Sequence, residues 1–418
     1  MTARILLYGI NFSPEPVGIG KYTGELGSWL AARGHQVRVI TAQPYFPCWR
    51  LGNNDKSFRN RYCHSCLAGM EVWRCPLWVP RRPSGVTRLL HLASFALTSL
   101  PVLLAQRRWQ PDVIFTVAPA FFCAPGALLL KQLSGKQSRS RLHIQDFELD
   151  AAFNLGLLRG RWLRGLAESW ERQTLRGFDQ VSTISEAMLQ RACLKGVDSN
   201  RLVLMPNWVD LEAIRPQGQK ERMSNPYRRR LGLQDESLVL QYSGSMNKKQ
   251  GLEQLVKVIR QLADIPNLVW LLAGEGPTKE SLAVATAGMN NVHLLPLQPA
   301  DQLGDWLNLA DVHLLPQRAG AADLVLPSKL MGILASGRPL VASSPTHSEL
   351  GQLAERAGLR VEPEDPRAFA QAVRRLVEDP VLREQLGDQA RQLAEQRFGK
   401  EAVLRAMEQK LLACLTSC

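Results

Sequence analysis

Three short segments of the 418-residue chain place lysines and glycines where a strand should hand over to a helix. Tyr242–Ser243–Gly244–Ser245 is followed by Lys248, Lys249 and Gly251; Gly274–Glu275–Gly276 follows a second apolar run; and Pro327–Ser328–Lys329–Leu330 opens a helical stretch, with Ser328 at its N-cap. Glycine lets a backbone approach a ligand closely, the first amides of a helix lack intrahelical partners, and lysines supply countercharge. Together the three loops predict a site for a phosphate-bearing ligand, with Lys248 or Lys249 and Lys329 as its cations. Near the N-terminus, Gly18 and Gly20 precede a helix that opens at Lys21, which reads as another oxyanion-binding loop or as a tight turn. The spacing Gly18-x-Gly20-x-x-x-Gly24 misses the dinucleotide fingerprint by one residue, and Gln43 and Pro44 stand where an acidic ribose ligand would be expected. A nicotinamide or flavin enzyme is therefore discounted.

Strands and crossover helices must carry these loops. Short runs rich in Val, Ile and Leu alternate with amphipathic stretches, the pattern of a parallel sheet covered on both faces, and it occurs twice. Strands are expected at residues 5–8, 36–41, 71–74, 113–117, 142–145, 180–184 and 202–205, then at 238–242, 268–273, 292–295, 312–315, 339–342 and 359–361. The polar stretch 215–236, with Pro216, Pro226 and Arg228–Arg229–Arg230, lacks strong periodicity and reads as a hinge. The boundaries that follow are a first α/β domain over 1–209, a second over 210–395, and a C-terminal helical segment, 396–418, that packs back toward the first. Two such sheets would face a central cleft at the carboxyl ends of their strands, where ligands bind in folds of this kind.

The length fits two or three domains, and 45% apolar with 21% charged residues excludes a disordered chain. The N-terminus lacks the three-part pattern of a secretory signal. Of the net charge of +13, residues 1–210 carry +12. Between Arg50 and Arg108 ten basic residues face only Asp55 and Glu71. That imbalance suits an anionic partner: nucleic acid, lipid headgroups, or a phosphorylated substrate. Residues 89–106 carry no charge and are bracketed by Arg88, Arg107 and Arg108, with Arg81 and Arg82 nearby, so this helix is expected either to rest on an anionic membrane surface or to lie in the core. Cys48, Cys63, Cys66 and Cys75 contain one C-x2-C pair of zinc-ligand spacing; a second pair is missing, and free thiols are expected. His143, set among apolar neighbours, reads as a core histidine.

Several segments carry a resemblance. Tyr8–Gly9–Ile10–Asn11–Phe12–Ser13–Pro14–Glu15 with Gly18–Ile19–Gly20–Lys21–Tyr22, then Leu142–His143–Ile144–Gln145–Asp146–Phe147–Glu148, Met205–Pro206–Asn207–Trp208, Lys249–Gln250–Gly251–Leu252–Glu253 and Leu326–Pro327–Ser328–Lys329–Leu330 resemble the GT-B glycosyltransferases of family 4, in particular those of colanic acid biosynthesis. The likeness spans nearly the whole chain. It implies a metal-independent, retaining enzyme without cofactor, at the cytoplasmic face of the membrane. Such an enzyme would move fucose from GDP-fucose to a polyprenyl-diphosphate-linked saccharide during exopolysaccharide assembly.

By the same resemblance, Gly18 and Gly20 would lie against donor diphosphate and acceptor, and Asp146 would face the reacting sugar. Gly244, Lys248, Lys249 and the amides of Ser328, Lys329 and Leu330 would hold the diphosphate. Gly274, Glu275, Gly276, Leu297 and Gln298 would border the nucleotide, Glu349 the donor sugar, and Arg81, Arg82, Arg88, Arg107 and Arg108 the acceptor or membrane side. Asp146 and Lys249 are the catalytic candidates; Asp146 would otherwise be a turn cap. The family's paired glutamates are replaced: the second falls on Gly332 and the first near Leu324. Its usual arginine after the second unit's first strand is Ser245. Two other classes remain as alternatives, a basic nucleic-acid-binding protein and a sugar-nucleotide sensor that binds without turnover.

Overall fold

Val113–Ala118 is buried at all six positions, because a central parallel strand is covered on both faces and needs no polar side. The computed structural model describes residues 2–15, 18–46, 49–51, 59–81, 85–118, 121–135, 138–147, 161–319 and 326–416, and it divides into two units. The first comprises the chain up to Pro206 together with Leu404 and the residues after it; the second runs from Asn207 to Val403.

In the first unit, strands β1 (Arg4–Tyr8), β2 (Gln36–Ala42), β3 (Cys63–Leu67), β4 (Met70–Cys75), β5 (Val113–Ala118), β6 (Arg139–Ile144), β7 (Gln180–Thr183) and β8 (Leu202–Leu204) form a sheet of order β3-β4-β2-β1-β5-β6-β7-β8. All neighbours are parallel except β3 and β4. Strand β3 was not expected from the sequence. Its five residues are all exposed, so this edge strand lacks the apolar alternation that reveals a half-buried one. In the second unit, β9 (Leu238–Ser243), β10 (Leu268–Ala273), β11 (Val292–Leu295), β12 (Val312–Leu315), β13 (Leu340–Ser343) and β14 (Gly358–Val361) form a wholly parallel sheet of order β11-β10-β9-β12-β13-β14.

The stretch expected as a hinge belongs to the second unit. Residues 215–236 contain two short helices, Gln219–Met223 and Pro226–Arg230. Buried Tyr227 packs edge-on against Trp306 at 5.1 Å between ring centroids, and its hydroxyl donates to Gln302 Oε1. Helices this short show no periodicity to read; they are held by tertiary contacts, Tyr227 on Trp306, Arg222 on Asp311 and Asn225 Nδ2 donating to Asp305 O. The helix Pro380–Arg397 also stays with the second unit, where Arg391 donates to the carbonyls of Ile214 and Ala335.

The last helix, Lys400–Thr416, ties its distal part to the first unit. Glu408 accepts from Trp29 Nε1 at 3.0 Å and His35 Nε2 at 3.2 Å and pairs with Arg33. Burial pushes its carboxyl up, but these donors outweigh it and hold it below the usual carboxylate range.

Replacing Tyr227 by Ala is expected to destabilise the second unit by about 3–5 kcal/mol, as for other large buried aromatics, read from urea unfolding. A change below about 0.5 kcal/mol, typical of a solvated linker, would refute the packed arrangement.

Candidate active site

The carboxyl ends of β9 and β10 lie side by side, and their loops are fastened to one another. Gly244 N donates to Ala273 O, Met246 N to Glu275 O at 2.8 Å, and Thr278 N to Met246 O. A Cβ on Gly274 would lie 1.9 Å from Gly244 O, and one on Gly276 2.2 Å from Met246 O. Both glycines are therefore required by loop-to-loop approach, before any ligand is considered. Beyond Gly244, Asn247 Oδ1 accepts from Lys249 N at 3.0 Å and closes a turn over Lys248–Gln250. Lys248 is exposed and Lys249 half-buried, and neither ammonium has an ion-pair partner among the described residues.

Lys329 completes this end of the sheet. It opens the helix Lys329–Ala335, and its Nζ lies 4.0 Å from the centroid of the Tyr242 ring, 3.4 Å from Gln250 Oε1, and 3.0 Å from where a Cβ on Gly244 would stand. Gly244 thus leaves room for the amine. Burial pushes that amine down to about 7, since a cation loses hydration there and no carboxylate among the described residues offsets the loss. Tyr242, Gln250 and Arg318 were not singled out by the sequence. Arg318 follows β12, the neighbour of β9; its amide donates to Lys249 O at 3.1 Å and its guanidinium pairs with Glu253. Only the sheet order places it beside the lysine loop.

Other expected donor residues are placed less favourably. Ser328 stands at the N-cap position, but its backbone is already helical and its side chain makes no capping bond. The Leu330 amide donates to Pro327 O at 2.9 Å and its side chain is in the core, so it has no free donor to offer. Glu275 pairs with Lys279 at 2.7 Å; Leu297 is exposed, and Gln298 donates to Pro296 O. Glu349 begins a helix capped by Ser348 and pairs with Arg397 at 3.4 Å. Residue 324 lies outside the described residues.

In the first unit, the loop after β1 is held by Glu15, which the sequence did not mark. This buried carboxylate accepts from Asn11 Nδ2 at 2.9 Å and from the amides of Tyr45 and Phe46 at 3.2 and 3.0 Å. Burial pushes its carboxyl up. A Cβ on Gly20 would lie 2.7 Å from Glu15 Oε2. Gly20 is therefore packed against a carboxylate, which by itself requires a residue without a side chain there. Gly18 is exposed, with φ 64°, at the start of the helix Ile19–Ala32.

Asp146 is half-buried two residues beyond β6. His143, within β6, bonds Ser182 Oγ and stacks on Phe115; burial lowers it to about 3, so it is a neutral core residue. Arg81, Arg88, Arg107 and Arg108 are exposed, and Arg82 lies outside the described residues. The helix Gly85–Ala105 combines the two expected settings: His91, Leu92, Phe95, Ser99 and Leu103 are buried, while Val86, Leu90 and Leu97 are 55–71% exposed. Among the described residues the zinc pattern does not assemble. Cys63 and Cys66 lie three apart on β3 and so point to opposite faces; Cys75 is buried, its thiol pushed up to about 12, and Cys48 lies outside the described residues.

Residues 17–208 match the family model described as "Glycosyl transferase 4-like domain", and residues 237–379 match "Glycosyl transferases group 1". The chain is 44% identical over 410 residues, 96% of its length and 98% of the relative's, to the protein of Escherichia coli K12 named colanic acid biosynthesis glycosyl transferase WcaI. The chain belongs to the family 4 glycosyltransferases. Sucrose-phosphate synthase from Thermosynechococcus elongatus superposes on this glycosyltransferase with a TM-score of 0.75 at 19% identity, covering 99% of this chain and all of that one. The Anabaena protein Alr3699/HepE, solved with UDP and glucose, does so with 0.69 at 14% identity, covering 98% and 100%. The glycosyltransferase accordingly has the GT-B fold of two Rossmann-like units.

Gly274→Ala should separate the β9 and β10 loops and weaken binding of GDP at least tenfold, measured by calorimetry, while the second unit stays folded. A diphosphate seated on the Lys329 amine would raise that amine's affinity for a proton. GDP affinity should therefore fall as pH rises from 7 to 9, with proton uptake detectable in buffers of different ionisation enthalpy; Lys329→Met should abolish both. A flat profile in the unaltered protein would remove Lys329 from the site.

Proposed function

We propose that this glycosyltransferase moves fucose from GDP-fucose to a polyprenyl-diphosphate-linked saccharide in the assembly of a colanic-acid-like exopolysaccharide, at the cytoplasmic face of the membrane. The pathway rests on the full-length similarity to the colanic acid biosynthesis relative. The donor's chemical class rests on one observation: a glycine-lined strand end where Lys329 is held against Tyr242 beside the Lys248–Lys249 turn. Transfer breaks the bond between the sugar's anomeric carbon and its phosphate oxygen, leaving an electron pair on the diphosphate. The acceptor hydroxyl oxygen bonds to that carbon with retention and passes its proton to the departing diphosphate oxygen. Lys249 and Lys329 would steady the departing charge, each such donor contributing about 2.7–4 kcal/mol to the lowered barrier. Asp146 would orient the acceptor hydroxyl or steady the cationic ring. Residues Val86, Leu90 and Leu97, with exposed Arg81, Arg88, Arg107 and Arg108, would rest on anionic lipid, each arginine contributing about 1 kcal/mol.

The test incubates the purified chain with GDP-fucose, GDP-mannose, UDP-glucose and a polyprenyl-diphosphate sugar, with mass spectrometry of the lipid product. GDP-fucose should be consumed. No transfer from any donor by folded protein would refute the reading, and donor binding without turnover would favour a sensor. Lys249→Ala should lower kcat about 10²- to 10³-fold. Asp146→Asn should lower turnover with GDP affinity intact; unchanged turnover removes Asp146 from the chemistry.

A further inference from the structure

Within the first unit a groove of about 600 Å³ runs between the segment after β4 and the helix Gly85–Ala105. Two indoles, Trp49 and Trp78, and two guanidinium groups, Arg50 and Arg81, line it. The segment Pro76–Leu77–Trp78 has no strand partner and is instead fastened residue by residue. Thr98 Oγ1 donates to Pro76 O at 2.6 Å; Asn60 both accepts from Leu77 N and donates to Leu77 O at 2.9 Å. Ser94 Oγ accepts from Trp78 N at 3.0 Å, and His91 Nδ1 donates to Trp78 O at 2.6 Å. Trp78 thus has its backbone clamped at both ends while its side chain is 46% exposed. Trp49 is held with φ 53° and its ring packed against both Tyr45 and His91, at 5.5 and 5.3 Å, and those two rings also touch one another at 4.6 Å.

Exposed Trp78 is bonded to the helix that carries exposed Leu90 and Leu97, and grouped exposed apolar side chains mark interaction sites. Neither Arg50 nor Arg81 has an ion-pair partner among the described residues, so two planar cations stand ready for paired oxyanions. Indole faces suit the C–H faces of a sugar ring. On the helix, Leu90, Ser94 and Thr98 follow one another at single turns, and Leu97 lies beside them. The groove's polar wall therefore continues directly into the exposed apolar stripe of Leu90 and Leu97.

We propose that this groove is the acceptor subsite: the guanidinium groups of Arg50 and Arg81 take the diphosphate of a prenyl-linked glycosyl diphosphate, Trp49 and Trp78 take its sugar, and the Leu90–Leu97 stripe takes the start of its hydrocarbon chain. The assignment rests on the lipid-linked acceptor proposed above. A nucleotide would use the arginines and indoles but leaves the apolar stripe unexplained.

The test measures binding of geranyl-diphospho-glucose to the full chain by calorimetry, without donor, alongside glucose 1-phosphate and GDP. Geranyl-diphospho-glucose should bind more tightly than glucose 1-phosphate. Trp78→Ala and the exposed pair Arg50→Ala/Arg81→Ala should each weaken it more than tenfold, while Trp78→Phe retains it within about threefold. GDP affinity should stay within twofold in every variant, and an unchanged thermal melt followed by circular dichroism should show that the first unit is folded. No binding to the unaltered chain, unchanged binding in the variants, or GDP affinity lost with Trp78 would each overturn the groove assignment. Transfer to a prenyl-diphosphate sugar that persists with unchanged KM in the variants would overturn the groove and leave the enzymatic reading standing; absence of all transfer with groove binding intact would do the reverse.

Discussion

The loops after β9 and β10 approach so closely that the carbonyl oxygen of Gly244 fills the space in which a side chain on residue 274 would begin. Parallel pairing sets this constraint, because it brings the carboxyl ends of neighbouring strands to the same edge and their loops must share it. Two glycines accept the crowding, and the backbone bonds from Gly244 and Met246 make it rigid. Rigidity at Gly244 in turn decides where the Lys329 amine can sit, since no side chain on residue 244 displaces it from Tyr242. A desolvated amine with no carboxylate beside it among the described residues is costly in the free protein. The same packing that fastens the loops therefore holds a buried amine at the strand end.

The first unit uses carboxylate and hydroxyl groups for the corresponding work. Glu15 gathers the amides of Tyr45 and Phe46 and the amide side chain of Asn11, so that two loops at the end of the sheet are tied together. Asn60, His91, Ser94 and Thr98 do the same for the segment that carries Trp78. In both places polar side chains, buried in Glu15 and His91 and more open in Asn60, Ser94 and Thr98, bond backbone that lies outside the sheet and so supply partners that no strand provides. The by-product is exposed aromatic and cationic surface on a stiff frame.

Most inner strands were legible because their apolar runs answer to a sheet covered on both faces, as in β5, β10 and β12. Strand β3 was not, being an exposed edge whose residues follow no alternation, and neither were the short helices of 215–236, held by tertiary contacts. The lysine and glycine loops announced a phosphate site by composition, yet composition could not separate glycines that face solvent from glycines wedged against backbone. Gly20 shows the difference: its partner, Glu15, is five residues away in the chain and its reason for being small is that carboxylate.

The chain's residues alone determined two α/β units, a cationic strand-end site and a basic first half, because periodicity, glycine and charge are local properties that any fold must accommodate. Which groups are free to act was decided only by tertiary packing. Leu330's amide is taken by Pro327, Glu349 is engaged by Arg397, and Tyr242 and Arg318 join the lysines through sheet order. Hydrogen-bond partners and hydration depend on which distant segments become neighbours, and that neighbourhood exists only once the sheets have closed.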